Sequence, residues 1–86
     1  MQKVDIGVEE EPELRYTRAG LPICTLRMDG ARYVAFDKTA EELVEEVVVG
    51  DVLRLTGYYK AHVWKNSYGD EQSRDDFIIK SWERIG

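Results

Sequence analysis

The sequence predicts a small, mostly β protein of five strands with one helix between the third and fourth strands. Three observations support this prediction. The chain of 86 residues is the length of a single domain. Apolar and polar residues alternate with period two in several segments, and a helical period replaces this alternation in one segment only. With 43% hydrophobic and 34% charged residues, the composition is globular. We therefore expect one domain over residues 1–86.

The first strand is predicted near the start of the chain, over Lys3–Glu9. Val4, Ile6 and Val8 alternate there with polar residues, which is typical of a strand with one buried face. Turn-forming residues follow at Pro12 and in the segment that ends at Pro22. These residues separate the first strand from the second.

The second and third strands are predicted as a hairpin. Ile23–Met28 and Ala31–Phe36 are rich in apolar residues, and only Asp29 and Gly30 separate them. An Asp-Gly pair between two such segments is a strong signal for a tight turn. We therefore expect these two strands to pair directly.

The helix is predicted after the third strand, because the spacing of apolar residues changes. Thr39 and Glu42 have the spacing of a capping box. We expect the helix to end near Gly50, although valines in its last turn are poor helix formers. Apolar residues fall at i, i+3, i+4 and i+7: Ala40, Leu43, Val44 and Val47.

Two long strands are predicted in the C-terminal half, over Val52–Trp64 and Gln72–Trp82, with a turn at Asn66–Asp70. The resulting order, β-β-β-α-β-β, is that of a five-stranded OB-fold barrel. On the last strand, Phe77 and Ile79 are expected to share a face.

Catalysis and metal binding are not indicated. His62 and Cys24 each stand alone, whereas a metal site needs several ligands of this kind. We interpret Cys24 as a small buried hydrophobic residue. Glycine-rich phosphate-binding loops are absent from the sequence. With no signal peptide at the start, no long apolar segment and one cysteine, we expect a cytoplasmic protein that needs no cofactor.

The fourth strand carries the most informative pattern. The net charge is −5, yet residues 52–69 contain no acidic residue. Alternate residues of a strand project to one side, so Tyr58, Lys60, His62 and Trp64 should form one row about 20 Å long. Aromatic rings next to cations are suited to single-stranded nucleic acid, because bases stack on rings and phosphates contact cations. The pattern alone equally allows outer-face rings that pack under the helix or under a partner chain.

A resemblance to a known family favours the first interpretation. Pro12-Glu13-Leu14-Arg15-Tyr16-Thr17, followed by Gly20, resembles the signature near the start of bacterial single-stranded DNA-binding (SSB) proteins. Shorter similarities follow in the family's order: Val34-Ala35-Phe36, Ala40-Glu41, Gly50-Asp51-Val52, Gly57, Trp64 and Tyr68-Gly69-Asp70.

This resemblance implies an OB-fold that binds single-stranded DNA without strong sequence preference, in replication, repair or recombination, and that forms homodimers or homotetramers. By position, Phe36 and Trp64 become stacking residues, and Lys60 and His62 become groups that face the DNA backbone. Strand parity adds further candidates on the same sheet face or strand: Tyr58, Arg54 and Arg32.

The sequence also departs from the family. The hairpin at Asp29-Gly30 is short, whereas the family has a long hairpin with an aromatic residue, and Gly30 stands where another aromatic is usual. We expect a reduced member without the acidic tail that recruits replication or repair proteins. The alternative function is an OB-fold adaptor between proteins, or an accessory protein of the primosome type, with weak or no DNA binding.

Overall fold

The computed structural model of the chain describes residues 1–28 and 30–86, and it confirms a mostly β protein with one helix. The described strands form one mixed sheet in the order β1-β5-β6-β4-β3-β2, in which β4 and β6 run parallel and the other neighbours antiparallel. In chain order the elements are β1 (Gln2–Gly7), β2 (Glu13–Tyr16), β3 (Pro22–Met28), β4 (Ala31–Phe36), α1 (Asp37–Glu46), β5 (Val52–Lys65) and β6 (Glu71–Arg84).

The predicted number of strands is wrong, because β2 is a sixth strand. It pairs with β3 from Glu13 opposite Thr25 to Tyr16 opposite Pro22. Three of its four residues are exposed, so it lacks the alternation from which a strand can be recognised. Pairing with the edge of β3, rather than a pattern in its own sequence, therefore makes this segment a strand.

The β3–β4 hairpin has the predicted short connection. Met28 lies opposite Ala31 and Arg27 lies opposite Arg32. Asp29 lies outside the described residues, and Gly30 has a φ of 78°, a left-handed conformation that glycine adopts without strain.

One core fills the space beneath the sheet and the helix. Ile6 of β1 and Leu53 and Leu55 of β5 are buried in it, and Val4 packs against it partly buried. Further along β5, residues on the parity of Leu53 are exposed instead: Tyr59, Ala61 and Val63. Trp82 packs against this core although Phe77 and Ile79 are on the other parity of β6. The cause is a bulge: Thr56 pairs with Ser81 and Gly57 with Ile79, which leaves Lys80 as an extra residue. Other buried members of the core are Val8, Cys24, Leu26, Met28, Ala35, Ala40, Leu43 and Val47.

The helix differs from its prediction at both ends. Its N-cap is Phe36, which makes no side-chain capping bond, so the capping box predicted at Thr39 is not formed. The helix ends at Glu46 rather than near Gly50. The next residue, Val47, is extended and buried, and an extended conformation suits a β-branched residue.

The β5–β6 hairpin extends beyond the core. Asn66 closes its turn by accepting hydrogen bonds from the backbone N–H groups of Tyr68 and Asp70, at 2.9 and 3.0 Å. From Tyr58 to Lys65 every residue of β5 is exposed. In the part of the chain that the structure describes, no helix combines the length and apolar character needed to cross a membrane.

Candidate nucleic-acid interface

A row of charged residues crosses four neighbouring strands on the outer face of the sheet. Arg27 of β3 lies opposite Arg32 of β4, Arg32 is paired with Asp76 of β6, and Asp76 is paired with Lys60 of β5. Because residues in register lie on the same face, three cations and one carboxylate form this row.

A groove of about 300 Å³ lies along this row. Four of the predicted site residues line it together: Phe36, Arg32, Lys60 and His62. The remaining lining residues are Ile23, Val34, Ala61, Arg74, Asp76 and Ile78. An apolar wall with several cations at its side is therefore open to solvent on this face.

The three predicted stacking rings are comparably exposed. The exposed fraction is 43% for Phe36, 41% for Tyr58 and 41% for Trp64. Phe36 lines the groove, whereas Tyr58 and Trp64 lie outside its lining, on the strand face that Lys60 and His62 share. None of the three rings is enclosed in the core.

Cationic side chains already approach two of these rings. The Lys80 Nζ atom lies 5.6 Å from the centre of the Tyr58 ring. The guanidinium carbon of Arg74 lies 5.5 Å from the Trp64 ring centre, and the His62 and Trp64 rings are 5.6 Å apart with a tilt of 42°. Each ring can thus offer a base a stacking surface with a positive charge beside it.

The structure places Arg54 apart from the groove, in an ion pair with the first strand. Its Nε and Nη2 atoms donate to the two carboxylate oxygens of Asp5 at 2.9 and 3.1 Å. This contact lowers the pKa of the Asp5 carboxyl, and it raises the pKa of the guanidinium. The proposed contact of Arg54 with nucleic acid stays a prediction.

The floor of the groove contains polar atoms without hydrogen bonds. Arg74 Nε and Asp76 Oδ1 are 3.2 Å apart, as an ion pair, but they are not aligned for a hydrogen bond. Arg32 Nε is also buried without a hydrogen-bond partner. Buried polar atoms of this kind are unfavourable unless a partner is supplied.

Four charged residues of this surface are absent from the sequence prediction. A signal for them exists in the hairpin registers. The two-residue turn between β3 and β4 places Arg27 opposite Arg32, and the turn at 66–70 places Arg74 opposite His62. The prediction used parity within single strands and did not extend it across the sheet through the pairing registers. The missed residues are Arg27, Arg74, Asp76 and Lys80.

Other chemically notable groups lie away from this face. Cys24 is fully buried, and desolvation raises the pKa of its thiol to about 11, which suits a structural rather than a nucleophilic role. A cavity of about 380 Å³ near β1 is lined by two carboxylates, Asp5 and Glu9, which would repel a polyanion. Residues 1–28 and 30–86 contain no cluster of ligands that could hold a metal ion.

Comparison of the chain with models of protein families and with curated protein sequences gave no match.

Proposed function

We propose that this protein is an OB-fold module that binds single-stranded DNA without strong sequence preference. The observation that supports the proposal best is the juxtaposition, on one open sheet face, of exposed rings and cations. Phe36 lies in a groove with Arg32 and Lys60, and the strand face of Lys60 continues to Tyr58 and Trp64. Such a combination suits unpaired nucleotides, which offer both a flat base and a charged phosphate.

Closure of the sheet into a barrel is part of the proposal. The two end strands in the sheet order, β1 and β2, are consecutive in the chain and separated by residues 8–12. The chain thus passes from one end of the sheet to the other within five residues. A single core contacted by β1, β3, β4, β5, β6 and α1 agrees with a closed OB-fold barrel.

The expected mechanism combines stacking with neutralisation of phosphates. Each stacked base contributes about 1–3 kcal/mol, and three rings are exposed. About four cations in contact with phosphates would give a slope of about −3 for log affinity against log salt. We expect dissociation constants from micromolar to below micromolar at moderate salt, with tighter binding if several copies act together.

Tryptophan fluorescence tests the proposal directly. The chain has two tryptophans, and Trp82 packs on the core while Trp64 is exposed. In a Trp82→Phe variant, oligo-dT should quench the remaining fluorescence, because a base that stacks on the indole quenches it. The matched Trp64→Phe variant should show little quenching. Absence of quenching in Trp82→Phe at low salt, with tens of micromolar oligo-dT, would overturn the proposal.

Self-association and a role in replication, repair or recombination belong to the same proposal. In the described sheet β1 is paired with β5 alone, and we propose that its other edge pairs with a second copy, so that the barrel closes at β1 and β2 through the shared core rather than through a strand ladder. We propose a homodimer or homotetramer in the cytoplasm, with further replication or repair proteins as partners. Light scattering that shows a monomer at high concentration would contradict the assembly.

A further inference from the structure

A second groove, of about 260 Å³, lies beside the first at the β3–β4 turn. Its lining includes three arginines, Arg27, Arg32 and Arg74, together with Gly30 and Ala31. Arg32 and Arg74 also line the first groove, so the two grooves are adjacent. No carboxylate is among the residues of the second groove that the structure describes, which exclude Asp29.

The placement of these arginines is unfavourable for folding alone. Arg27 and Arg32 are directly opposite each other on antiparallel strands, where like charges destabilise a sheet. Asp76, in register with Arg32, lies within 3.2 Å of Arg74 and offsets one positive charge of the three. The Nε atoms of Arg32 and Arg74 are buried without hydrogen bonds. An anion with several acceptor oxygens would relieve both the repulsion and the missing hydrogen bonds.

We propose that Arg27, Arg32 and Arg74 form a phosphate-binding pocket that anchors one phosphate group of a bound strand where the strand leaves the first groove. The proposal rests in part on the proposed function, because the phosphate belongs to the same ligand. Guanidinium groups suit this ligand, since each can donate two parallel hydrogen bonds to phosphate oxygens. The phosphate is an internal diester or a terminal monoester, and the chemistry of recognition is shared.

Inorganic pyrophosphate probes the pocket without DNA. In an NMR titration at constant ionic strength, the Nε–Hε signals of the three pocket arginines should shift together, whereas that of Arg18 should not. Arg18 is an exposed arginine outside both grooves, which makes it the matched control. Equal shifts of all arginines, or no shifts, would overturn the pocket.

Thermal unfolding with and without pyrophosphate tests the same pocket independently. Arg27→Gln removes one of the opposed charges, so its melting temperature without pyrophosphate should equal or exceed that of the wild type. Pyrophosphate should raise the melting temperature of the wild type and of Arg18→Gln, but much less that of Arg27→Gln. Equal stabilisation of all three proteins would contradict the proposal.

Oligo-dT with and without a 5′- or 3′-phosphate identifies the source of the phosphate. For an internal diester, Arg27→Gln should weaken binding of every oligonucleotide about tenfold and reduce the magnitude of the salt slope by about 0.7. For a terminal phosphate, only the phosphorylated oligonucleotide should lose affinity.

The same experiments separate the pocket from the proposed function. If oligo-dT binds but Arg27→Gln changes neither its affinity nor the salt slope, the pocket proposal is wrong and the proposed function stands. If pyrophosphate shifts the arginines but oligo-dT does not bind, the proposed function fails and the pocket stands.

Discussion

Gly57 of β5 lies directly against the backbone carbonyl of Ile78 on β6. A Cβ atom at Gly57 would overlap the Ile78 carbonyl oxygen, and it would come within 3.2 Å of the Phe77 ring. The bulge that leaves Lys80 unpaired begins at this point of the hairpin. Glycine is therefore required here by close approach of two backbones rather than by a left-handed conformation.

A Gly57→Ala variant should be destabilised by at least about 2 kcal/mol, because backbone atoms cannot move aside as a flexible side chain can. Urea denaturation measures this change. Gly7→Ala is the matched control, since nothing lies within 4 Å of a Cβ at Gly7 and its conformation is ordinary. We expect Gly7→Ala to change stability by less than about 0.5 kcal/mol. Equal midpoints for the two variants would show that β5 and β6 separate readily.

The elements that the sequence predicts well are those that are rich in apolar residues or whose burial alternates. β4 has its predicted bounds, and burial alternates along the first half of β5, where Leu53 and Leu55 are buried. β2 could not be found this way, because Leu14, Arg15 and Tyr16 are all exposed and its pairing is decided by the tertiary structure.

In the candidate site, too, relationships within one strand could be predicted, whereas relationships between strands could not. Parity within one strand brings Lys60 and His62 together, and the structure agrees. To predict which residues of neighbouring strands share a face, the registers of both hairpins must be known. The sequence prediction did not use these registers, so it does not include Arg27 and Arg74. Trp82 illustrates a further limit, since the bulge at Lys80 changes which residues of β6 face the core.

Loss of the Phe36 ring should weaken binding of oligo-dT. Phe36 is 43% exposed and lines the groove, so Phe36→Ala removes a stacking surface with little effect on the core. The expected loss is about 1–3 kcal/mol, roughly five- to 150-fold in the dissociation constant. Fluorescence anisotropy with labelled oligo-dT measures it.

Tyr16→Ala serves as the control for this prediction, because Tyr16 is a more exposed ring (65%) that lies on β2, outside the groove. Its affinity for oligo-dT should equal that of the wild type. If both variants lose affinity equally, general hydrophobic contact rather than stacking in the groove accounts for binding.

The Asp5 carboxyl should titrate below its ordinary value in the folded protein, because Arg54 donates to both of its oxygens. A depressed pKa means that the pair stabilises the fold above the unfolded value of about 3.9 and that this stabilisation is lost as the pH falls through the lower folded value. Carbon-13 NMR of the carboxyl measures the pKa. Arg54→Gln should return it towards the ordinary value, while Arg18→Gln should leave it low. An Asp5 pKa unaffected by Arg54→Gln would show that the pair does not persist in solution.

The Cys24 thiol should be protected from modification and should make stability fall at high pH. It is fully buried, and desolvation raises its pKa from 9.0 to about 11. Because the folded value is the higher one, its contribution is complete below about pH 9 and is lost as the pH rises from 9 to 11. A shift of this size corresponds to about 2–3 kcal/mol. The drop is read as the difference between the wild type and Cys24→Ala in urea denaturation, so that effects common to both proteins cancel. Rapid reaction of the native thiol with a disulfide reagent at pH 8, or parallel curves for the two proteins, would contradict the burial of Cys24.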